Sequence, residues 1–189
     1  MAHDIYLARH GATEWSESGQ HTSITDLPLL PRGEEKAKRL GAALREHHFA
    51  AIYASDRQRA LHTAELAGFP QPTVSPLLRE FDYGRYEGLT TTQIREQAPG
   101  WELFRDGCPD GETPERLEAR AHLALQLLEA AGGDVLVFSH GHFSRALAVA
   151  WADLDIQAAG RFGLDAAAYC VLRRDLHGRT IHRWNVLSG

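Results

Sequence analysis

The sequence predicts a three-layer α/β fold, in which a mostly parallel central sheet with an antiparallel edge carries helices on both faces. Short apolar runs typical of buried strands alternate with helical patterns along most of the chain, which favours parallel strands joined by helices. The last two predicted strands, near 168–173 and 180–184, are separated by Leu176-His177-Gly178 and predict a hairpin. At 189 residues the chain has the length of one domain, so we expect a single domain over residues 1–189.

The first half of the chain alternates strands and helices. Ser55 or Asp56 is the expected N-cap of its second helix, and the polar composition of residues 13–26 predicts a loop. The predicted strands are 5–8, 51–54 and 73–75, and the predicted helices run from about 34 to 47 and from about 57 to 67.

The second half begins with an irregular segment, residues 76–111, that glycines and prolines interrupt repeatedly. Long irregular segments in compact domains are often functional, so we expect an inserted, cap-like segment with short helices near 92–97 and 102–105. A helix from Thr113-Pro114-Glu115 to about residue 130 follows. A strand at 135–138 and a helix at about 144–152 complete the alternation.

Composition and charge restrict the class of partner. Apolar residues make up 43% of the chain and charged residues 24%, which is typical of soluble globular proteins. The net charge of −5 argues against a nucleic-acid or anionic-membrane partner, and no segment reads as a signal peptide or membrane span. Cys108 and Cys170 form no disulfide or metal pattern, which fits a reducing cytoplasm. We expect a cytoplasmic protein; a homodimer is compatible with the sequence.

Two His-Gly turns, Arg9-His10-Gly11 and Ser139-His140-Gly141, each follow a predicted strand directly. Residues just past the carboxyl ends of parallel strands line the ligand crevice of an open sheet, so the two imidazoles are expected to meet there. A neutral imidazole can attack phosphorus, Arg9 supplies a cation, and Gly11 permits close approach of the backbone. The pattern therefore favours a phosphoryl site over two unrelated surface histidines.

Two further residues fit phosphoryl chemistry. Arg59 lies near the start of the helix that follows the second strand, where a guanidinium can grip two phosphate oxygens beside the helix N-terminus. Glu80 follows the third strand, and a carboxyl near Phe81 could have a raised pKa and stay protonated long enough to act as a proton donor. Asp82 is the competing candidate for that donor.

A metal site is the alternative use of the histidines. His140 and His142, together with His10 and an aspartate, would make a metallohydrolase site. Residues two apart at a strand-to-helix turn need not face the same way, however, and a nearby arginine opposes a cation. We therefore expect no metal and no cofactor.

Five segments, in order along the chain, resemble the motifs of the histidine phosphatase superfamily, the phosphoglycerate mutase-like fold. The stretch after Trp15, as far as Leu29, is most similar to the phosphosugar phosphatase branch that includes sedoheptulose-bisphosphatase-like enzymes. The motifs are Leu7-Ala-Arg-His-Gly-Ala-Thr-Glu-Trp15, Arg59-Ala-Leu-His-Thr-Ala64, Glu80-Phe-Asp-Tyr-Gly-Arg-Tyr-Glu-Gly88, Gly111-Glu-Thr113 and Ser139-His-Gly-His142.

The resemblance implies a metal-independent phosphomonoesterase that acts on small phosphorylated metabolites, especially sugar phosphates. It makes His10 the nucleophile that becomes phosphohistidine and Glu80 the general acid, with Arg9, Arg59 and His140 holding the phosphoryl oxygens. The remaining implied positions, at the substrate or phosphate edge, are Ser16, Thr22, Ser23 and the Gly141 amide.

Three other functions stay open on this scaffold. A phosphoglycerate mutase shares the first half-reaction, but mutases of this family tend to be longer and to shield phosphohistidine from water. A non-catalytic phospho-ligand-binding module would not need the complete set of five catalytic candidates. A protein phosphohistidine phosphatase would usually be shorter and lack the segment at 76–111.

Overall fold

The computed structural model describes residues 3–176 and 178–188, and within them six strands form one sheet. In sheet order the strands are β3 (Thr73–Val74), β2 (Ala51–Ala54), β4 (Val135–Ser139), β1 (His3–Arg9), β5 (Tyr169–Asp175) and β6 (Gly178–Val186). The three neighbour pairs β3–β2, β2–β4 and β4–β1 are parallel, whereas β1–β5 and β5–β6 are antiparallel. This confirms the predicted mostly parallel sheet with an antiparallel edge.

Helices cover both faces of the sheet. They are α1 (Glu14–Ser18), α2 (Pro31–Leu44), α3 (Gln58–Leu66), α4 (Thr91–Gln97), α5 (Leu103–Asp106), α6 (Pro114–Glu129) and α7 (Gly141–Trp151). Short 3₁₀ turns lie at Pro76–Leu78, Gly84–Tyr86 and Ile156–Arg161. One hydrophobic core packs α6 and α7 against one face of β1 and β4, and a second core packs α2 and α3 against the other face.

The register of the central strands brings the two His-Gly turns together. β1 and β4 run parallel with Arg9 opposite Ser139. The residues that follow them, His10 and His140, therefore leave the sheet side by side at its carboxyl edge. The separation of about 130 residues along the chain is closed by one pair of neighbouring strands.

Four local predictions were wrong at the boundaries. Helix α2 runs from Pro31 to Leu44 rather than from about 34 to 47. The predicted loop at 13–26 begins with α1, which Thr13 and Ser16 cap reciprocally. Helix α7 begins at Gly141 rather than near 144, with His140 as its N-cap residue. The N-cap of α3 is Arg57, not Ser55 or Asp56, because the distant Asp26 carboxylate accepts from the amide of Gln58 at 2.8 Å.

The segment at 76–111 closes on itself near the sheet edge. Gly84 has φ +49°, and a Cβ there would lie 2.2 Å from the Pro109 carbonyl oxygen; only glycine fits so close an approach. The amide of Glu112 donates to the carbonyl of Asp82 at 2.8 Å. His177, which we predicted in the hairpin turn, lies outside the described residues. Among the helices of residues 3–176 and 178–188, none combines the length and the apolar character of a membrane span.

Candidate active site

A cavity of about 160 Å³ opens at the carboxyl ends of β1 and β4. Four parts of the fold form its wall: the sheet, α7, the segment around α1 and the segment after the first 3₁₀ turn. Its lining residues are Arg9, His10, Trp15, Ser16, Gly19, Gln20, His21, Thr22, Glu80, Tyr83, Thr91, Gly141, His142 and Arg145.

His10 is oriented by its own turn. Its Nδ1 lies 2.8 Å from the Gly11 carbonyl oxygen, which can only accept, so Nδ1 carries the proton and Nε2 keeps a free lone pair. The ring is only 5% exposed. Burial, followed by the charges of Arg59 and Arg9, holds the pKa of His10 well below its ordinary value of 6.5. At neutral pH the ring is therefore an uncharged base with one nitrogen available as a nucleophile.

His140 lies beside His10, with 5.2 Å between the ring centroids. Its Nε2 is 2.8 Å from the Ser55 hydroxyl, while its buried Nδ1 has no hydrogen-bond partner among the described residues. Burial is the main cause that holds the pKa of His140 well below 6.5, and the charge of Arg59 adds to it. When the Ser55 hydroxyl donates to Nε2, Nδ1 carries the proton, and this unpartnered N–H at the N-terminus of α7 is suited to an anionic ligand.

The two arginines differ in how they are held. Arg9 lines the cavity and donates to the Leu164 carbonyl, and its buried Nε has no partner in the described chain. Arg59 is fully buried and donates to the backbone carbonyls of Thr22, Ser23 and Thr25 at 3.0–3.2 Å. Arg59 thus fixes the loop after α1 as well as placing a cation beside both histidines.

Glu80 reaches across to the N-terminus of α7. Its Oε1 accepts from the amides of Phe81 and Phe143 at 2.9 and 2.8 Å, and its Oε2 accepts from the amide of His142 at 3.0 Å. Only 7% of Glu80 is exposed, yet it lines the cavity. The sequence predicts an apolar environment for Glu80 because Phe81 is adjacent, and the structure adds three backbone N–H donors to that environment. Asp82 is exposed, lies outside the cavity lining and accepts from the amide of Gly84.

Arg59 and His140 are fully buried and do not line the cavity. Of the other predicted positions, three line it and two do not. Ser16, Thr22 and Gly141 are in its wall. Ser23 lies outside it, with its amide donating to the Glu87 carboxylate at 2.9 and 3.0 Å. The amide of Gly11 donates to Thr63 Oγ1 at 3.0 Å, and a Cβ on Gly11 would lie 2.6 Å from the Gly33 carbonyl. Gly11 therefore permits the close contact of β1 with α2.

Sequence reasoning missed several side chains around the cavity. The Tyr83 hydroxyl lies 2.5 Å from His142 Nδ1, and His142 stacks on His21 with 5.8 Å between centroids. Arg145, one turn further along α7, has a buried Nε without a hydrogen bond in the described part of the chain. Arg145 follows His140 by five residues, so a helix starting at the second His-Gly turn would have indicated it. No sequence pattern indicated that the Ser55 hydroxyl would contact His140.

The metal alternative finds no ligand set in the described ranges, where no group of three His, Cys, Asp or Glu side chains is arranged to hold an ion. His142 is turned toward Tyr83 and His21, whereas His140 faces Ser55 and His10. The two histidines of the second turn thus face different neighbours. Metal independence stays a prediction that chelation tests.

Several known proteins are similar to this chain. Residues 5–187 match the family model of the histidine phosphatase superfamily, branch 1. An acid phosphatase of Mycobacterium tuberculosis is 42% identical over 170 residues, covering 88% of this chain and 84% of the relative. A sedoheptulose 1,7-bisphosphatase of Saccharomyces cerevisiae is 35% identical over 184 residues, covering 80% and 68%. A solved structure of a Mycobacterium tuberculosis open reading frame is 39% identical, with a TM-score of 0.95 over 99% of both chains.

The chain belongs to the histidine phosphatase superfamily, since the family model covers nearly all of it. Within that class the protein is a phosphatase, as the acid phosphatase and the sedoheptulose 1,7-bisphosphatase named above are. The resemblance drawn from the five motifs is confirmed, and so is the fold it implied.

Proposed function

We propose that the protein is a metal-independent phosphomonoesterase that acts through a phosphohistidine on His10 and hydrolyses small phosphorylated metabolites, especially sugar phosphates. The observation that carries this proposal is the hydrogen bond from His10 Nδ1 to the Gly11 carbonyl. It leaves Nε2 of a neutral ring unprotonated in a cavity bordered by cations.

In the first half-reaction, His10 Nε2 forms a bond to phosphorus while the bond from phosphorus to the ester oxygen breaks. Arg9, Arg59 and His140 stabilise the charge on the three remaining phosphoryl oxygens, and the Gly141 amide at the N-terminus of α7 assists them. Glu80, entering protonated, gives its proton to the leaving oxygen. The products of this step are the free alcohol and phosphohistidine.

In the second half-reaction, Glu80 is ionised and takes a proton from water as the water oxygen attacks phosphorus. The bond between phosphorus and Nε2 breaks, inorganic phosphate leaves, and Glu80 is protonated again. The three amides that donate to the carboxylate fix its orientation, which suits a group that must serve as a base in this step.

The non-reacting part of the substrate has space in a second cavity of about 290 Å³, which shares His21, Thr91, His142 and Arg145 with the first. Arg95, Arg105 and Arg161 also line it. Arg105 is paired with Asp106 at 2.7 Å and lies 3.9 Å from Glu102, so Arg95, Arg145 and Arg161 supply the excess positive charge. This excess of cations supports a substrate whose distant end carries a second anionic group or many hydroxyls. Ser16 and Thr22 line the first cavity and are proposed to contact the same part.

The decisive experiment is to trap the covalent intermediate. We expect rapid acid-sensitive labelling of the protein by a ³²P-labelled substrate, and His10→Ala should abolish it and reduce phosphate release by about 10⁴-fold or more, as loss of a nucleophile does elsewhere. A chelator should leave the wild type active. Loss of activity on chelation, restored by zinc or magnesium, would contradict the proposal.

A substrate panel separates hydrolysis from mutase activity. The wild type should release phosphate from sugar bisphosphates and sugar monophosphates, tested beside 3-phosphoglycerate and nucleotide monophosphates. With 3-phosphoglycerate and a bisphosphate primer, we expect phosphate and little 2-phosphoglycerate. If isomerisation is faster than phosphate release, the protein is a mutase.

A substitution in the second cavity tests where the distant end of the substrate binds. Because Arg161 lines that cavity, Arg161→Gln should raise the KM for a bisphosphate more than the KM for the matching monophosphate.

A further inference from the structure

We infer that Arg120 is a positioning residue for Glu80, acting on the proton donor from outside the catalytic cavity. Arg120 lies on α6 and is absent from the cavity lining. The inference rests on the proposed role of Glu80. It also assigns a use to Gly111-Glu112-Thr113, the motif that the proposed chemistry leaves without one.

Every N–H of the Arg120 guanidinium has a partner. Nε and Nη2 donate to the two carboxylate oxygens of Glu112 at 2.8 and 2.7 Å. Nη1 donates to the carbonyls of Leu77 and Arg79 at 2.9 and 2.7 Å, and Nη2 donates to the carbonyl of Glu80 at 3.3 Å. An arginine has five such hydrogens, so all of its donors serve one carboxylate and the backbone leading to Glu80.

The same guanidinium packs on Phe143, the residue whose amide binds the Glu80 carboxylate. Its central carbon lies 4.4 Å from the centroid of the Phe143 ring, and the Phe143 amide donates to Glu80 Oε1 at 2.8 Å. Phe143 is fully buried. Arg120 therefore holds both the main chain of Glu80 and the residue whose amide aims its carboxylate.

The segment carrying Glu80 needs such a support. Residues 79–83 belong to neither a helix nor a strand, so no regular ladder fixes their carbonyls. Glu112 completes the clamp, because it orients the Arg120 fork and its own amide donates to Asp82 at 2.8 Å. Arg120 is 17% exposed and Glu112 11% exposed in their side chains, so water competes weakly for these bonds.

The test compares leaving groups. A sugar phosphate leaves as a basic alkoxide that needs a proton, whereas nitrophenolate leaves without one. Arg120→Lys keeps the charge near His140 but cannot make the five-bond fork. We expect sugar-phosphate cleavage to fall by about 10²-fold, the scale of a misplacement near 1 Å, with the phosphoenzyme burst from nitrophenyl phosphate retained within about threefold.

A double-mutant cycle separates positioning from general stability. In a Glu80→Gln background, Arg120→Lys should add less than about threefold, because the donor it positions is already lost. Arg116→Gln, one turn earlier on the exposed side of α6, is the matched control and should leave both substrates unchanged. If Arg120→Lys unfolds the protein, Glu112→Gln, which removes the carboxylate that orients the fork, should give the same selective loss.

The outcomes assign each failure to its own cause. Equal losses on both substrates in the Arg120 and Glu112 variants, or full additivity with Glu80→Gln, would overturn the positioning role. If Glu80→Gln itself shows no dependence on the leaving group, the assignment of Glu80 as the proton donor fails instead. If Arg120→Lys retains full activity, charge rather than the fork geometry is what matters, and the inference is wrong.

Discussion

The two walls of the catalytic cavity are built by different means. Arg9 and His10 lie at the end of β1 and Gly141 follows the end of β4, with His140 buried just behind this wall. The pairing of β1 with β4 sets the separation of His10 and His140. Glu80 and Thr22 stand on irregular chain that side-chain bonds from distant residues hold in place. The strand-end wall would act on the phosphoryl group and the loop wall on the leaving group. We therefore expect that a substitution in the loop wall changes the step at the leaving group while the strand-end wall still binds the phosphoryl group.

The largest effect expected on the loop wall is loss of its proton donor. Glu80→Gln should slow sugar-phosphate cleavage by about 10²–10⁴-fold, the usual contribution of a general acid, while the nitrophenyl phosphate burst is retained. Asp82→Asn is the matched control, because Asp82 is exposed and outside the cavity. Rapid-quench measurement of both substrates checks this. Leaving-group dependence in Asp82→Asn alone would exchange the two roles.

The sequence predicts the strand-end wall better than the loop wall for a physical reason. A strand and the residue that follows it are encoded locally, so Arg9, His10 and His140 are visible from apolar runs that end in His-Gly. The role of Arg120 becomes visible only once α6 packs beside the segment at 76–111. The Asp26 cap of α3 and the Glu87 contact with the loop are likewise tertiary bonds, which no local pattern specifies.

The second prediction tests the bond that holds the loop after α1. The Glu87 carboxylate accepts from the amides of Ser23 and Thr25, and hydrogen bonds to a charged group are worth about 1.5–3 kcal/mol. Glu87→Gln should raise the KM for a sugar phosphate by about 10- to 100-fold with a smaller change in kcat. Glu96→Gln, an exposed carboxylate on α4, should change neither. A selective loss of kcat would contradict a role in holding the loop.

The third prediction concerns pH and the strand-end wall. Burial and the charges of Arg59 and Arg9 lower the pKa of His10, so its nucleophilic form persists below pH 6.5. The acid limb of kcat/KM, which reports the free enzyme, should therefore lie below that value. A limb at 6.5 or above would show that His10 titrates as an exposed histidine.

Stability should change with pH in the corresponding sense. Burial is the main cause that lowers the pKa values of His10, His140 and His142 in the folded protein. Below about pH 6.5, therefore, these histidines are protonated in the unfolded chain while they are still neutral in the folded chain. The free energy of unfolding should fall on acidification by up to about 1.4 kcal/mol per pH unit for each such histidine. Urea unfolding at pH 7.5 and 5.5 measures it, and His142→Gln should reduce the slope.

The smallest expected effect separates two neighbouring residues of the loop wall. Thr22 lines the cavity, whereas Ser23 lies outside it and is held through its backbone. Thr22→Ala should raise the KM for a sugar phosphate by about 2- to 10-fold, the scale of one hydrogen bond, and leave a small aryl phosphate unaffected. Ser23→Gly should change neither substrate by more than about twofold, because its amide and carbonyl remain available to Glu87 and Arg59. A shift in preference caused by Ser23→Gly would mean that the substrate reaches beyond the cavity described for the free protein.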